Sequence, residues 1–260
     1  MSYEALILER QEGLSTITLN RPQALNALTP RLLNEVYDAL RECDEDGSVR
    51  AVMITGAGRG FCAGADISGR AGDEAVREPE IGMERYNRVI RLLRGIQKPV
   101  LGAVNGAAAG AGLGIALACD LRIASESARF GAAFVRVGLA SDSAVAYHLL
   151  RLVGIGKATD LLFSGRVVGA DEALALGLVN RVAPAGEFLD AATAWARQLA
   201  QGPTTALGFT KQILNSSLTL PLGAVLEFEA YGQYITGRTA DNAEGVQAFG
   251  EKREPRFQGR

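Results

Sequence analysis

Three short, mostly apolar runs constrain this chain more than any other feature. AVMIT (51–55), VLGAV (100–104) and LRIAS (121–125) are almost continuously hydrophobic. A strand that is apolar on both faces is covered on both faces, as in a parallel sheet packed with helices. The first run leads into GAGRGFCAGADI (56–67) and the second into NGAAAGAGLG (105–114). Glycine and alanine at that density let the backbone turn tightly and let another backbone come close. AGLGIALACD (111–120) then reads as a small-residue helix, so the order is strand, turn, helix, strand, the mark of parallel βαβ units and an α/β fold.

The flanks fit this plan. EALILER (4–10) and LSTITLN (14–20) alternate apolar with polar around Gly13, which predicts a hairpin, and RLLNEVYDALREC (31–43) has helical spacing. From about residue 143 strands stop almost entirely, and the pattern predicts helices over 143–153, 157–164, 171–176, 186–200, 203–216 and 222–235. We divide the chain into a core over residues 1–195 and a helical region over 196–260. The charged, weakly patterned stretch ISGRAGDEAVREPEIGMERYN (67–87) is expected to be a mobile surface segment.

With 260 residues, 48% of them hydrophobic, a sizeable core is available. A net charge of −2 gives no electrostatic pull toward nucleic acid or an anionic membrane. Cys43, Cys62 and Cys119 make neither a disulfide framework nor a metal-ligand spacing. The one histidine, His148, cannot build a His-rich metal site and is expected to be packed and hydrogen-bonded within its helix. MSYEALILERQEG lacks the basic-then-apolar order of a signal peptide, and the apolar region 99–119 is too rich in Gly and Ala for a membrane span. The expectation is a cytoplasmic protein without metal.

The two turns lie where open α/β sheets bind ligands, and N–H groups at a helix start have no partner inside the helix. Gly110, Gly112 and Gly114 are spaced G-x-G-x-G, not the G-x-G-x-x-G of a dinucleotide site, and no acid follows at the required distance. An N–H from each turn, aimed at one carbonyl oxygen, would form an oxyanion hole. Small residues that simply let a helix pack close to the sheet are the alternative. Asp142, in GLASDSAVAYHLL, also has two readings. Asp142 or Ser141 caps the following helix, or the carboxylate serves a reaction.

Taken together, NRPQALNAL (20–28), GRGFCAGADI (58–67), AVNGAAAGAGLGIALACDLRIAS (103–125) and ALGLVNRV (175–182) resemble, in order and spacing, the crotonase (enoyl-CoA hydratase/isomerase) superfamily. The resemblance runs from about residue 5 to residue 258. It implies a spiral of ββα units with a C-terminal helical trimerisation region, assembled as a homotrimer or a dimer of trimers. It implies an acyl-CoA thioester substrate, with coenzyme A as part of that substrate and no separate cofactor. The oxyanion donors carry over to Ala65 and Ala111, beside Gly110. Coenzyme A would lie against Ala24 and the strip Ala63, Gly64, Ala65, Asp66, Ile67, with Lys211 in TKQIL meeting a phosphate.

Two departures follow. Hydratases of the family use two glutamates, and the matching positions here are Gly114 and Phe134. Hydration needs one group to activate water and another to manage the α-proton. The stretch around Asp142 resembles instead the ring-epoxyphenylacetyl-CoA isomerases of phenylacetate degradation, in which an aspartate at the position of Asp142 is the catalytic base. One carboxylate suffices for an enoyl-CoA isomerase, in phenylacetate or fatty-acid catabolism. Phe134, Val137, Leu139 and Val145 around it would raise its pKa toward the working range.

The alternatives are an enoyl-CoA hydratase and a non-catalytic CoA-binding partner protein. Acyl-CoA dehalogenases share a similar aspartate but rely on a histidine whose place here is Asn87. Cys62 has no His or Asn partner in the pattern and reads as a small buried residue. Asp66 reads as an anchor of its turn, and Glu80, Glu84 and Arg85 as a solvated face. Segment 68–90 and the first C-terminal helices are expected to shape the acyl pocket.

Overall fold

The computed structural model describes residues 3–66 and 79–260. Ile67 and the first part of the charged segment expected to be mobile lie outside the described residues. The chain opens with the hairpin β1 (Leu6–Gln11) and β2 (Leu14–Leu19), paired Leu6 to Leu19, with Glu12 and Gly13 both at positive φ in the turn. Next comes α1 (Pro30–Glu45), capped by the Thr29 hydroxyl, which accepts from the Leu32 N–H at 3.2 Å. A cap followed by proline at the first helical position starts a helix sharply. Leu32, Leu33, Val36, Ala39, Leu40 and Cys43 bury its inner stripe.

Three times the chain then lays one strand in a large sheet and a three-residue or shorter-paired strand in a small one before turning helical. The first unit is β3 (Ala51–Gly56), β4 (Gly60–Cys62) and α2 (Pro79–Gly95), and the second is β5 (Val100–Val104), β6 (Ala107–Ala109) and α3 (Ala111–Ala118). The third is β7 (Leu121–Ser125), β8 (Arg129–Gly131), a 3-10 turn Ala133–Val137 and α4 (Val145–Ser164). β9 (Val167–Gly169), α5 (Ala170–Leu176), β10 (Arg181–Ala183) and α6 (Phe188–Ala200) follow, then α7 (Thr204–Ser217), α8 (Leu222–Thr236) and α9 (Ala240–Glu251).

The large sheet has the order β1-β2-β3-β5-β7-β10, parallel except for the opening hairpin. The small sheet, β4-β6-β8-β9, is parallel until β9 pairs antiparallel with β8. Ile17, Val52, Ile54, Val100 and Val104 turn one face of the large sheet into the main core under α1 and α2. Leu14, Ala51, Met53, Leu101 and Ile123 turn the other face against Phe188, Ala192, Trp195 and Ala196 of α6. Residue 195, where we divided the chain, therefore sits inside a helix that covers the sheet.

The structure bears on several expectations. The end of the charged segment, from Pro79, is helix, because Val89, Ile90 and Leu93 are buried at helical spacing. Past residue 143 strands stop almost entirely, as expected, and the two that remain, β9 and β10, each add three residues to a sheet. The helices expected over 143–153 and 157–164 are the two segments of α4, which begins at Val145 and leaves the helical path at Gly154, with φ 74° and ψ 166°. Among the described residues no helix is long and apolar enough to cross a membrane.

Candidate active site

The two small-residue turns interlock. Gly64 has φ +93°, and a Cβ there would stand 2.7 Å from the Ala109 carbonyl oxygen and 3.4 Å from the Ala111 nitrogen. Gly112, one residue into α3, would carry a Cβ 2.3 Å from the Cys62 carbonyl oxygen. Only glycine allows either approach. The segment holding Ala65 is thereby laid against the start of α3, where Ala111 is the first helical residue and Gly110, at φ 51°, precedes it. Among the described residues no backbone hydrogen bond takes up the N–H of Ala65 or of Ala111. Two N–H groups from touching segments, one of them at a helix N-terminus, suit a developing negative charge on a carbonyl oxygen.

Two asparagines that the sequence reading missed hold the first turn. Asn26 is buried, donates to the carbonyls of Ala57 at 3.0 Å and Gly60 at 2.8 Å, and accepts from the Arg21 N–H at 2.8 Å. Asn105 accepts from the Gly56 N–H at 3.1 Å and donates to Gly58 at 2.9 Å and Gly60 at 3.2 Å. The strip after β4 is then pinned to the loop before α1. Leu28 donates to Gly64 at 2.7 Å, Asp66 donates to Leu28 at 3.1 Å, and Ala63 donates to Leu25 at 2.9 Å. Asp66 accepts from Arg21 at 3.0 Å, in keeping with its reading as an anchor of the turn. Ala24 closes the short 3-10 turn Pro22–Ala24 on the same loop, so Ala24, Ala63, Gly64, Ala65 and Asp66 share one neighbourhood.

Asp142 lies on the connection between the 3-10 turn and α4 and is half-buried. The side chain that meets a free N–H of the helix start is that of Ser141, whose Oγ accepts from Ala146 at 3.2 Å. The Asp142 carbonyl accepts from Val145 at 3.0 Å. Ser143 and Ala144 follow in left-handed conformation, with φ of 50° and 58°. This turn rests on α3, because a Cβ on Gly114 would meet the Ser143 carbonyl oxygen at 2.5 Å. Gly114 is three residues from Ala111 along that helix. The Asp142 turn thus meets α3 one helical turn beyond Ala111.

Other expected residues fall unevenly. Phe134 is buried with its ring edge 3.8 Å from a Cβ placed on Gly110, and Val145 is fully buried. Val137 and Leu139 are exposed, at 59% and 51%, so in this chain they do not enclose the acid. Lys211 is corrected outright. It is 6% exposed, its ammonium 2.9 Å from Asp120 and donating to the carbonyls of Leu93 at 2.7 Å and Lys98 at 3.3 Å. A cation so enclosed has no donor left for a phosphate at the surface. Burial pushes the Cys62 thiol up to about 12, and it donates to the Asn26 carbonyl, which suits a packed residue and not a nucleophile. His148 is buried as expected, but its Nε2 has no hydrogen-bond partner among the described residues. A cavity of about 660 Å³ lies on the far face of the large sheet beside α6, bordered by Thr16, Thr18, Thr55 and Arg197, away from Asp142.

A ββα spiral whose strand–helix turns interlock around paired backbone donors defines the crotonase class of fold. The chain belongs to the enoyl-CoA hydratase/isomerase family, which it matches over residues 9–260, and it is an enzyme of that family. It is 40% identical to the 1,2-epoxyphenylacetyl-CoA isomerase of Escherichia coli (strain K12), covering 99% of each chain. It is 38% identical to the short-chain-enoyl-CoA hydratase of Clostridium acetobutylicum, over 98% of this chain and 97% of the other. Among solved structures, an enoyl-CoA hydratase from Bacillus anthracis superposes with a TM-score of 0.94 at 32% identity, over 99% of this chain and 100% of that one.

Proposed function

We propose that this enzyme is an enoyl-CoA isomerase with Asp142 as its single base. The observation that carries this reading is that the two positions expected to bear hydratase glutamates are Gly114 and Phe134, while the turn of Asp142 packs directly on Gly114. The thioester oxygen of an acyl-CoA, with coenzyme A along Ala24 and Ala63–Asp66, accepts from the N–H groups of Ala65 and Ala111. Asp142 removes a proton from the α carbon of a 3-enoyl thioester. The electron pair spreads through the enolate onto the bound oxygen and across the former double bond, and the same carboxyl returns the proton at the γ carbon. The product is the 2-enoyl ester of unchanged mass. The E. coli relative supports the isomerase reading, and an epoxide on the acyl group is the variant its name suggests.

A hydratase is the second reading, favoured by the name of the Clostridium acetobutylicum relative. A homotrimer or dimer of trimers accompanies either, supported by the exposed apolar side chains Leu214, Leu218, Leu222, Leu226 and Phe249 on the C-terminal helices. The experiment supplies a 3-enoyl-CoA and a trans-2-enoyl-CoA separately in water and follows mass and retention, with Asp142→Asn alongside. Isomerisation at constant mass that disappears in the variant upholds the proposal. Gain of one water by the 2-enoyl ester at a comparable rate gives the reaction to hydration, and full isomerase activity in Asp142→Asn removes Asp142 from the chemistry.

A further inference from the structure

We infer that Gly114 is the positioning residue for Asp142, and that the carboxylate keeps its place because position 114 carries no side chain. This rests on the reading of Asp142 as the base. A Cβ on Gly114 would stand 2.5 Å from the Ser143 carbonyl oxygen and 2.7 Å from the Ser143 Cβ. Both distances are far inside contact, and the nearer atom is backbone, so no change of rotamer relieves it.

The turn resting there is held in a conformation it would not choose alone. Ser143 and Ala144 are consecutive non-glycine residues at positive φ, a region that L-residues visit singly and at a cost. The Ser143 hydroxyl is buried, with the residue 2% exposed, and has no hydrogen-bond partner among the described residues. Such a turn persists only where its surroundings over-determine it. The Ser141 and Asp142 hydrogen bonds tie it to the start of α4, and the contact on Gly114 ties it to α3, the helix that begins with Ala111. The spacing between base and oxyanion donor is therefore transmitted through the 114–143 contact. A misplacement of about 1 Å costs on the order of 10²-fold in rate. The same contact makes two acids alternatives: a side chain at 114 and this placement of Asp142 exclude each other.

The test measures isomerisation of a 3-enoyl-CoA by the wild type, Asp142→Asn, Gly114→Ala and the double variant Gly114→Ala/Ser143→Gly, with thermal unfolding of each. The expected result is that Gly114→Ala loses about 10²-fold in kcat with KM within about twofold, and that Ser143→Gly beside it, which removes the 2.7 Å contact and frees the turn's backbone to swing its carbonyl away from the new Cβ, restores at least tenfold of that loss. Wild-type kcat in Gly114→Ala overturns the inference, as does a double variant no faster than the single one. Should Gly114→Ala fail to fold, the double variant carries the test: folding with recovered turnover supports the inference, and folding without turnover, or no folding, overturns it. A wild type that does not isomerise, or a fully active Asp142→Asn, removes the base reading and this inference together; loss in Asp142→Asn beside an unaffected Gly114→Ala removes the inference alone.

Discussion

The carbonyl oxygen of Cys62 stands 2.3 Å from where a Cβ on Gly112 would be, so the two turns that carry Ala65 and Ala111 meet backbone to backbone. Gly112→Ala must push them apart, and the Ala111 N–H moves with its helix. Misdirecting one oxyanion donor is expected to lower kcat about 10²-fold, and overpacking to cost about 1–3 kcal/mol. Steady-state kinetics and urea unfolding of the variant check both, and an active, equally stable Gly112→Ala shows that the turns have slack.

Lys211 and Asp120, 2.9 Å apart, form a buried pair that Arg94 shares at 3.1 Å. Burial is the main force on the Lys211 pKa and lowers it, while the Asp120 carboxylate acts the other way. Lys211→Met leaves Asp120 half-compensated by Arg94 and is expected to cost about 3 kcal/mol. KM for an acyl-CoA should not change, because the ammonium is enclosed. A raised KM at unchanged stability would return the lysine to phosphate binding.

That lysine shows where the sequence stops being legible. The runs AVMIT and VLGAV announce buried strands because burial on both faces leaves almost no polar position in them, and LRIAS is buried despite Arg122, which donates to the carbonyls of Leu178 and Cys119. Three-residue strands such as Gly60–Cys62 and Ala107–Ala109 have no such signature; they exist because a partner strand from the next unit arrives beside them. The glycine turns were readable as places of close backbone approach, because such approach demands small residues. The parts played by Asn26 and Asn105 were not, since an asparagine in a loop looks like a turn former, and the carbonyls they bind come from 31 to 47 residues away. Lys211 sits on an amphipathic helix and looks solvated until Asp120 is brought to it.

His148 gives a pH dependence with a definite sign. Burial, helped by nearby Arg94, Arg122 and Arg151, lowers its pKa from 6.5 to about 4. Below pH 6.5 the unfolded chain takes up a proton that the folded chain refuses until about pH 4. Stability is therefore full above pH 6.5 and falls as the pH drops through this window, by about 2 kcal/mol at pH 5 from this group. His148→Leu also removes the unpartnered Nε2 and should flatten that part of the curve. Urea unfolding at pH 7 and pH 5 compares them; equal losses in both proteins would show that the histidine is protonated in the fold.

Ala144, at φ 58° and ψ 20°, stands at the entrance of α4 and directly after Ser143. An L-residue in this region costs about 1–2 kcal/mol, and glycine avoids that cost while losing about 0.5–1 kcal/mol more backbone freedom on folding. Ala144→Gly should thus stabilise the folded chain by about 0.5–1 kcal/mol, a rise of about 1–4 °C in Tm. The same change loosens the turn that holds the carboxylate, so turnover should fall a fewfold as stability rises. Opposite movement of Tm and kcat marks strain kept for the sake of the site. A lower Tm would mean that the Ala144 methyl, which packs against the core, is worth more than the conformation it is forced into.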